Sequence, residues 1–294
     1  MPSLSQAGCF DKIWQSDSLI SDDVRDALRA AAHELEDVPD AEKQWRPNSN
    51  DQVLDLVNPS LYPLVYGRTL FAPKFEPIEA PTVEHDSDSE YSSYYACLPT
   101  SAQSGSFAWL PTDFRIAPDG PSAKAQAYIN NIHPSNKPLI HAVEKVVAAF
   151  VPLLNRVLTD QLPSNKQHFP IRIPGDYTYD ESNYPEMGFD ESPNEFDDRV
   201  QGWYCDRPVI LPELPEFKPG SRLERTETYA INGRTVQIIV KLSSIHLTPE
   251  KPKYHGRLWS VEGMQNETIV ASGVYCYDAE WVLASRLHFV SNFH

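Results

Sequence analysis

The chain has 294 residues, 41% of them apolar and 22% charged, with a formal net charge of −16 and a sequence pI near 4.9. That length supports one large domain or two ordinary ones with a sizeable core, and the composition excludes a chain disordered throughout. A phosphate backbone would be repelled, and no stretch approaches the roughly 20 apolar residues of a spanning helix, so neither nucleic acid nor membrane is expected as a partner.

Met1 to Trp14 holds one Lys and no apolar segment of a secretory signal, from which a cytoplasmic location is expected. Ser21 is placed to cap a helix whose first turn carries Asp22 and Asp23. Val24, Leu28, Ala31 and Leu35 follow at helical spacing, and Pro39 lies beyond the end. Trp45 to Thr69 contains prolines that exclude a long helix; it is expected as a buried, irregular wall with one short strand near Leu64 to Tyr66. Thr82 to Ser106 is acidic and rich in Ser and Tyr, the composition of a surface loop.

Phe107 to Ile116 reads as a strand pair broken by Pro111. Leu139, Ile140, Val143, Val146, Val147, Phe150 and Leu154 fall on one face of the strongest helix, which Pro152 should kink or end early. Leu162 to Gly220 is Pro-rich and acidic with little periodicity, a long surface excursion. Within it, Asp176 to Asp198 holds nine acidic residues and no Lys or Arg: either a solvated loop or a docking surface for a basic partner or a hard cation. Asn232-Gly233 between Glu227–Ile231 and Arg234–Leu247 predicts a hairpin with a type I′ turn, with Val236, Ile238 and Val240 on one face. Thr268 to Tyr277 predicts another strand, and Leu283 to Val290 a short helix or a last strand. The order predicts an α+β fold, with a helical and irregular N-terminal half packed on a small antiparallel sheet. Residues 1–160 are mostly helical and irregular, 161–222 form the Pro-rich acidic region, and 223–294 form the β part of a single domain.

The chemistry-bearing patterns are sparse. Cys9, Cys97, Cys205 and Cys276 are far apart, which makes neither a zinc site nor a redox pair. A non-haem iron site on a strand edge needs His-x-Asp or His-x-Glu, because residues two apart point the same way. None of the nine histidines is followed by an acid two positions on. His141 and Glu144 lie three apart on the long helix and could share a metal, but no second pair accompanies them. No nucleophile elbow, P-loop or dinucleotide fingerprint is present.

The segment Ile238 to Asp278 reads IIVKLSSIHLTPEKPKYHGRLWSVEGMQNETIVASGVYCYD. It resembles the fungal family catalogued as domain of unknown function 4246, whose members carry a run like VKLANIELTPEKPEYPGGSWHVEGMxNExIVATGIYYYD. DLVNPSLYPLVYGRT at Asp55 to Thr69, AWLPTDF, and AYINNIHP ending at Pro134 match as well, so the resemblance spans most of Leu19 to Phe289. It implies a distant relative of Fe(II)/2-oxoglutarate oxygenases, with the small sheet expected as part of a double-stranded β-helix, or jelly-roll. The family's Trp-His-Val-Glu stretch implies a His-x-Glu metal pair, with a second His and an oxoacid-anchoring Arg further along.

This chain departs from that pattern. Ser260 stands where the His of the pair is expected, while Glu262 keeps the acid as the one implied metal ligand. Arg46 and Asn58 stand where the family commonly has His. Typical members continue well beyond the region that ends here, so a shortened member is expected. Asn266 and Glu267 are candidates to orient Glu262, or to cap a strand end; Tyr275 and Tyr277 are candidates for pocket wall or core. His255, seven residues before Glu262, does not have the usual spacing of a substitute ligand. The leading expectation is a degenerate homologue without independent redox catalysis; Fe(II) and 2-oxoglutarate are the cofactors that the resemblance implies. The alternatives are an oxygenase whose metal site a partner completes, and a non-metal enzyme of secondary metabolism using the inherited pocket. A small-molecule ligand, and a protein partner covering the incomplete sheet, are the expected associations.

Overall fold

A computed structural model of the chain describes residues 5–8, 12–71, 76–77, 104–119, 122–168, 178–210, 225–256, 263–279 and 282. In chain order the first elements are β1 (Gln6–Ala7), β2 (Trp14–Gln15), α1 (Asp22–Glu36), β3 (Val53–Val57), β4 (Leu64–Val65), β5 (Leu70–Phe71), β6 (Glu76–Pro77), β7 (Phe107–Ala108), β8 (Thr112–Ile116) and β9 (Ala123–Ala125). They are followed by α2 (Lys137–Gln161), β10 (Thr178–Tyr179), α3 (Pro193–Asp206), β11 (Val209–Ile210), β12 (Thr235–Ile238) and β13 (Leu242–Ile245). The architecture is mixed helix and small antiparallel sheet, an α+β arrangement. The largest sheet among the described residues has three strands, in the order β12-β8-β9. The chain divides into two units, Met1–Thr159 with Tyr229–His294, and Asp160–Thr228.

The first unit is built on α2. Leu139, Ala142, Val143, Val147, Ala148 and Val151 are buried on its inner face, and they meet Phe114 and Ile116 of β8, Val57 of β3, and Leu28 and Ala31 of α1 in one core. β8 alternates strictly, with Thr112, Phe114 and Ile116 inward and Asp113 and Arg115 outward, as a half-buried strand should. Helix α1 starts at Ser21, whose carbonyl accepts from Val24 and Arg25, and it buries Leu28, Ala31 and Ala32. By length and composition alone α2 could cross a bilayer, contrary to the expectation that no stretch is apolar enough. Its buried face lies in the core just described.

Three expectations are corrected. Pro152 does not end α2 early; the helix runs nine residues further, to Gln161. Pro152 itself faces solvent, while Val147, Ala148 and Val151 before it and Leu154 and Leu158 after it keep their apolar contacts, so packing on both sides carries the helix past the missing N–H. Second, Asn232-Gly233 does not join the two arms of a hairpin. Gly233 takes φ +71° but Asn232 does not enter the left-handed region, so the turn is not type I′. The arm before it is held by side chains of α2 instead. Thr159 Oγ1 accepts from Tyr229 N at 2.9 Å and Asn155 Oδ1 accepts from Ile231 N at 2.9 Å. The arm after it, β12, pairs with β8. Third, Thr268 to Tyr277 joins no sheet among the described residues: Ile269, Val270 and Val274 are exposed, and burial alternates only at its end, where Tyr275 and Tyr277 turn inward. Its backbone lies against α2: a Cβ on Gly273 would stand 2.7 Å from the Phe150 ring.

A strand was also missed. Val53, Leu54, Asp55 and Val57 of β3 are all buried, on both faces, so the period-two signal vanishes. Leu283 to Val290 and most of the expected loop at Thr82 to Ser106 lie outside the described residues.

The second unit contains β10 and β11 as an antiparallel pair, with α3 between them in sequence. Asn165, fully buried, is its anchor: its Nδ2 donates to Glu227 O at 2.8 Å and its Oδ1 accepts from Thr226 N at 2.9 Å. Residues 162–220 show little helical periodicity, yet Ser192, Pro193 and Glu195 spell a capping box with Pro at the first helical position, and both reciprocal hydrogen bonds form.

The fold makes Phe114, which is fully buried between α2 and the sheet, a sensitive probe. Phe114→Ala is expected to cost about 3–5 kcal/mol of unfolding free energy in a urea titration.

Candidate functional site

The site begins with a loop. Asn48, Asn50 and Asp51 all take positive φ, which these short polar side chains tolerate, and they fold residues 44–55 back on themselves. Arg46 N donates to Val53 O at 2.8 Å and Asp55 N to Gln44 O at 3.0 Å, around the Trp45–Leu54 bridge. This pairing sets the Arg46 side chain beside Asp55, whose own side chain is only 6% exposed. Arg46 grips both carboxylate oxygens, through Nε to Oδ2 at 3.2 Å and through Nη2 to Oδ1.

Asn58 closes the group. Its Nδ2 donates to Asp55 Oδ2 at 3.4 Å, and its Oδ1 accepts from Ser60 N at 2.9 Å in a turn around Pro59. Ser60 Oγ accepts from the Trp109 indole N–H at 3.0 Å. Lys241 Nζ stands 5.8 Å from the centroid of the Trp109 ring. Opposite lies the turn at residues 263–268. Glu267 accepts from Met264 N at 2.7 Å through one oxygen and from Trp109 N at 2.6 Å through the other. Asn266 accepts from Ser104 N at 3.2 Å and donates to the Tyr66 hydroxyl at 2.9 Å. Gly263 is required there: it takes φ +91°, and a Cβ would stand 2.3 Å from Ile269 Cδ1. Arg46, Asp55, Asn58, Trp109, Lys241 and Glu267 line one cleft of about 330 Å³.

The structure therefore brings together Arg46 and Asn58, the two described positions where the resemblance expects His, on a single carboxylate. Asn266 and Glu267 stand on the neighbouring turn, where they tie the backbone of residues 104–109 to the turn itself. Ser260 and Glu262 lie outside the described residues. Tyr275 and Tyr277 do not line the cleft; both pack on the core. Burial raises the pKa of each phenol, and the Tyr277 hydroxyl lies 3.3 Å from Ser244 Oγ, which also hydrogen-bonds Glu36. Sequence reasoning did not foresee Asp55, Trp109 or Lys241 as cleft residues. Asp55 could have been found, since a lone acid within an apolar five-residue run demands a partner.

His141 and Glu144 do meet, Nδ1 to Oε2 at 3.7 Å, beside a second cleft of about 420 Å³. The Glu144 carboxylate is already taken, by Lys124 Nζ at 2.6 Å and by Ala125 N at 3.1 Å, so it ties β9 to α2. Among the described residues no group of three or more His, Cys, Asp or Glu is arranged to hold a metal ion. At the first cleft a cation is already seated: the guanidinium of Arg46 holds both oxygens of Asp55, and each oxygen of Glu267 accepts from a backbone N–H group. The donors described in this cleft do not fit Fe(II), which takes imidazoles and an open carboxylate.

The sequence model of the family described as Protein of unknown function (DUF4246) matches residues 4–294. No curated protein and no solved structure matches the chain.

Two outcomes follow from this geometry. Arg46→Met leaves a buried carboxylate without its cation and is expected to destabilise by about 3–5 kcal/mol, while Arg46→Met with Asp55→Leu recovers most of the loss; denaturation midpoints of the three proteins decide it. Tyr277 has a folded-state pKa above its ordinary 10.0, so its neutral form stabilises the fold below that pH, and the contribution is lost as pH rises through the folded value. Tyr277→Phe is therefore expected to flatten the alkaline limb of a stability-against-pH curve and to leave the slope near neutrality unaltered.

Proposed function

The chain belongs to that family of proteins of unknown function, and we propose that it is a member in which an oxygenase-like pocket has lost metal chemistry and keeps a binding role. The observation that carries this reading is the Arg46–Asp55–Asn58 group. At two positions where the resemblance expects imidazoles, the chain has a guanidinium and a carboxamide, and both are bonded to the same buried carboxylate. A divalent ion entering there would have to displace a bidentate guanidinium, and would meet the charge of Arg46 and Lys241 as it did so. Ser260, in place of the expected His, points the same way, because a hydroxyl is a poor substitute for a neutral imidazole nitrogen.

A descent from the double-stranded β-helix is part of this proposal. It rests on the order of the matching blocks in the sequence, and fold analogy alone would not give function. The binding role rests on the cleft, whose volume of about 330 Å³ lies at the lower end of small-molecule sites. Its wall combines the Trp109 ring with charged groups already satisfied within the protein, a surface that can orient a ligand without a cofactor.

The test is anaerobic titration of the purified chain with Fe(II), followed by a 2-oxoglutarate turnover assay in air. The expected result is no stoichiometric uptake and turnover at the level of free Fe(II). One-to-one Fe(II) binding with turnover above that background would reject the proposal in favour of an active oxygenase.

A further inference from the structure

We infer that the second unit carries a docking face for a cationic, partly apolar segment of a partner protein. The starting point is a charge excess. Residues 178–210 contain nine acidic residues and two arginines. Both arginines are engaged inside the unit. Arg199 clasps the two oxygens of Glu191, at 2.9 and 2.6 Å, and also donates to Glu186 O at 2.9 Å. Arg207 lies 4.0 Å from the centroid of the Tyr179 ring and 3.4 Å from Glu181 Oε1. Among the described residues the carboxylates of Glu186, Asp190, Asp197, Asp198 and Asp206 are left with neither hydrogen bond nor ion pair.

The second observation is apolar exposure in the same place. Phe189 is fully exposed and Met187 is half exposed, and they sit between Glu186 and Asp190 in the sequence Glu-Met-Gly-Phe-Asp. This loop is held in place. Arg199 fastens Glu186 and Glu191 to α3, Gly188 N donates to Glu191 Oε2 at 2.8 Å, and the Tyr184 ring packs edge-on against Trp203 at 5.0 Å. An aromatic side chain presented on a fixed loop loses little entropy on binding, which is the property of an interface anchor.

Charge complementarity names the occupant. A second copy of this chain, with its net charge of −16, would be repelled, as would nucleic acid or an anionic lipid surface. A hard cation needs converging ligands, and no such cluster exists among the described residues. A segment of interleaved Arg and apolar residues satisfies both observations. The unit itself shows how it would bind, since Arg207 is already held by an aromatic face plus a carboxylate.

The experiment uses the full chain and two labelled peptides of about ten residues, one alternating Arg with Leu and one alternating Arg with Gly, with fluorescence anisotropy as readout. The Arg–Leu peptide is expected to bind about tenfold more tightly than the Arg–Gly peptide. Phe189→Ala is expected to abolish that advantage without changing Arg–Gly binding, and Glu186→Gln with Asp190→Asn to weaken both. Glu34→Gln with Glu42→Gln makes the same charge change in the first unit and is expected to leave both affinities unaltered. Far-UV circular dichroism checks that each variant is folded. Equal affinity of the two peptides, an unaltered Phe189→Ala protein, or an equal loss from the Glu34/Glu42 variant would overturn the inference, because binding would then be diffuse attraction to an acidic chain. Saturable calcium binding that displaces the peptide would reassign the carboxylates to a metal ion.

Discussion

A carboxylate buried within a strand has to be neutralised where it stands, and Asp55 imposes that demand on its surroundings. The left-handed residues at Asn48, Asn50 and Asp51 return the chain so that Arg46 arrives opposite it. Asn58 donates a further hydrogen bond to the same carboxylate, and its own carbonyl fixes the turn that places Ser60 under the Trp109 indole. From there the Trp109 backbone reaches Glu267 and the turn at Gly263. One buried negative charge thus organises four separate sequence blocks around one cleft. The same economy of donors and acceptors explains why that cleft is a poor host for a further cation.

The second constraint is backbone satisfaction along α2. Residues 229–231 approach the helix where a neighbouring strand would ordinarily complete their hydrogen bonds. Asn155 and Thr159 supply those bonds from side chains. The helix therefore acts both as the apolar floor of the core and as a polar partner for an adjoining extended segment. This dual role requires that its two faces remain in register across Pro152, which the packing on either side of that residue secures.

Much of this was legible in the residues. The periodicity of Val24 to Leu35 and of Leu139 to Leu154 located α1 and α2, and Pro111 divided β7 from β8 as read. What was not legible has physical reasons. β3 is buried on both faces and so lacks alternation. The Asn-Gly signal describes a local preference, and two helix side chains outcompete the strand that the signal would recruit. α3 was concealed by weak amphipathicity, with no buried residue, although its Ser-Pro-x-Glu start was written plainly. At the candidate site, the residues of the matching blocks were named from the sequence, but their convergence on Asp55 was not, because it depends on the backbone path of the loop before β3.

The pairing of distant strands also bears on how the chain is made. β13 lies beside β3, and Gln52 reaches the carbonyl of Lys253 across 201 positions of sequence. Contacts of such high sequence separation form late and slowly, since a long loop must close before they contribute. During synthesis β3 must therefore leave the ribosome and wait, its buried faces and its ionised Asp55 still in water, until most of the chain has emerged. The insert at Asp160–Thr228, whose Asn165 anchor spans a much shorter separation, can form in that interval. Asp55 then has a second consequence: as a charge in the middle of an apolar run, it is a gatekeeper that keeps the waiting strand from pairing with another nascent copy.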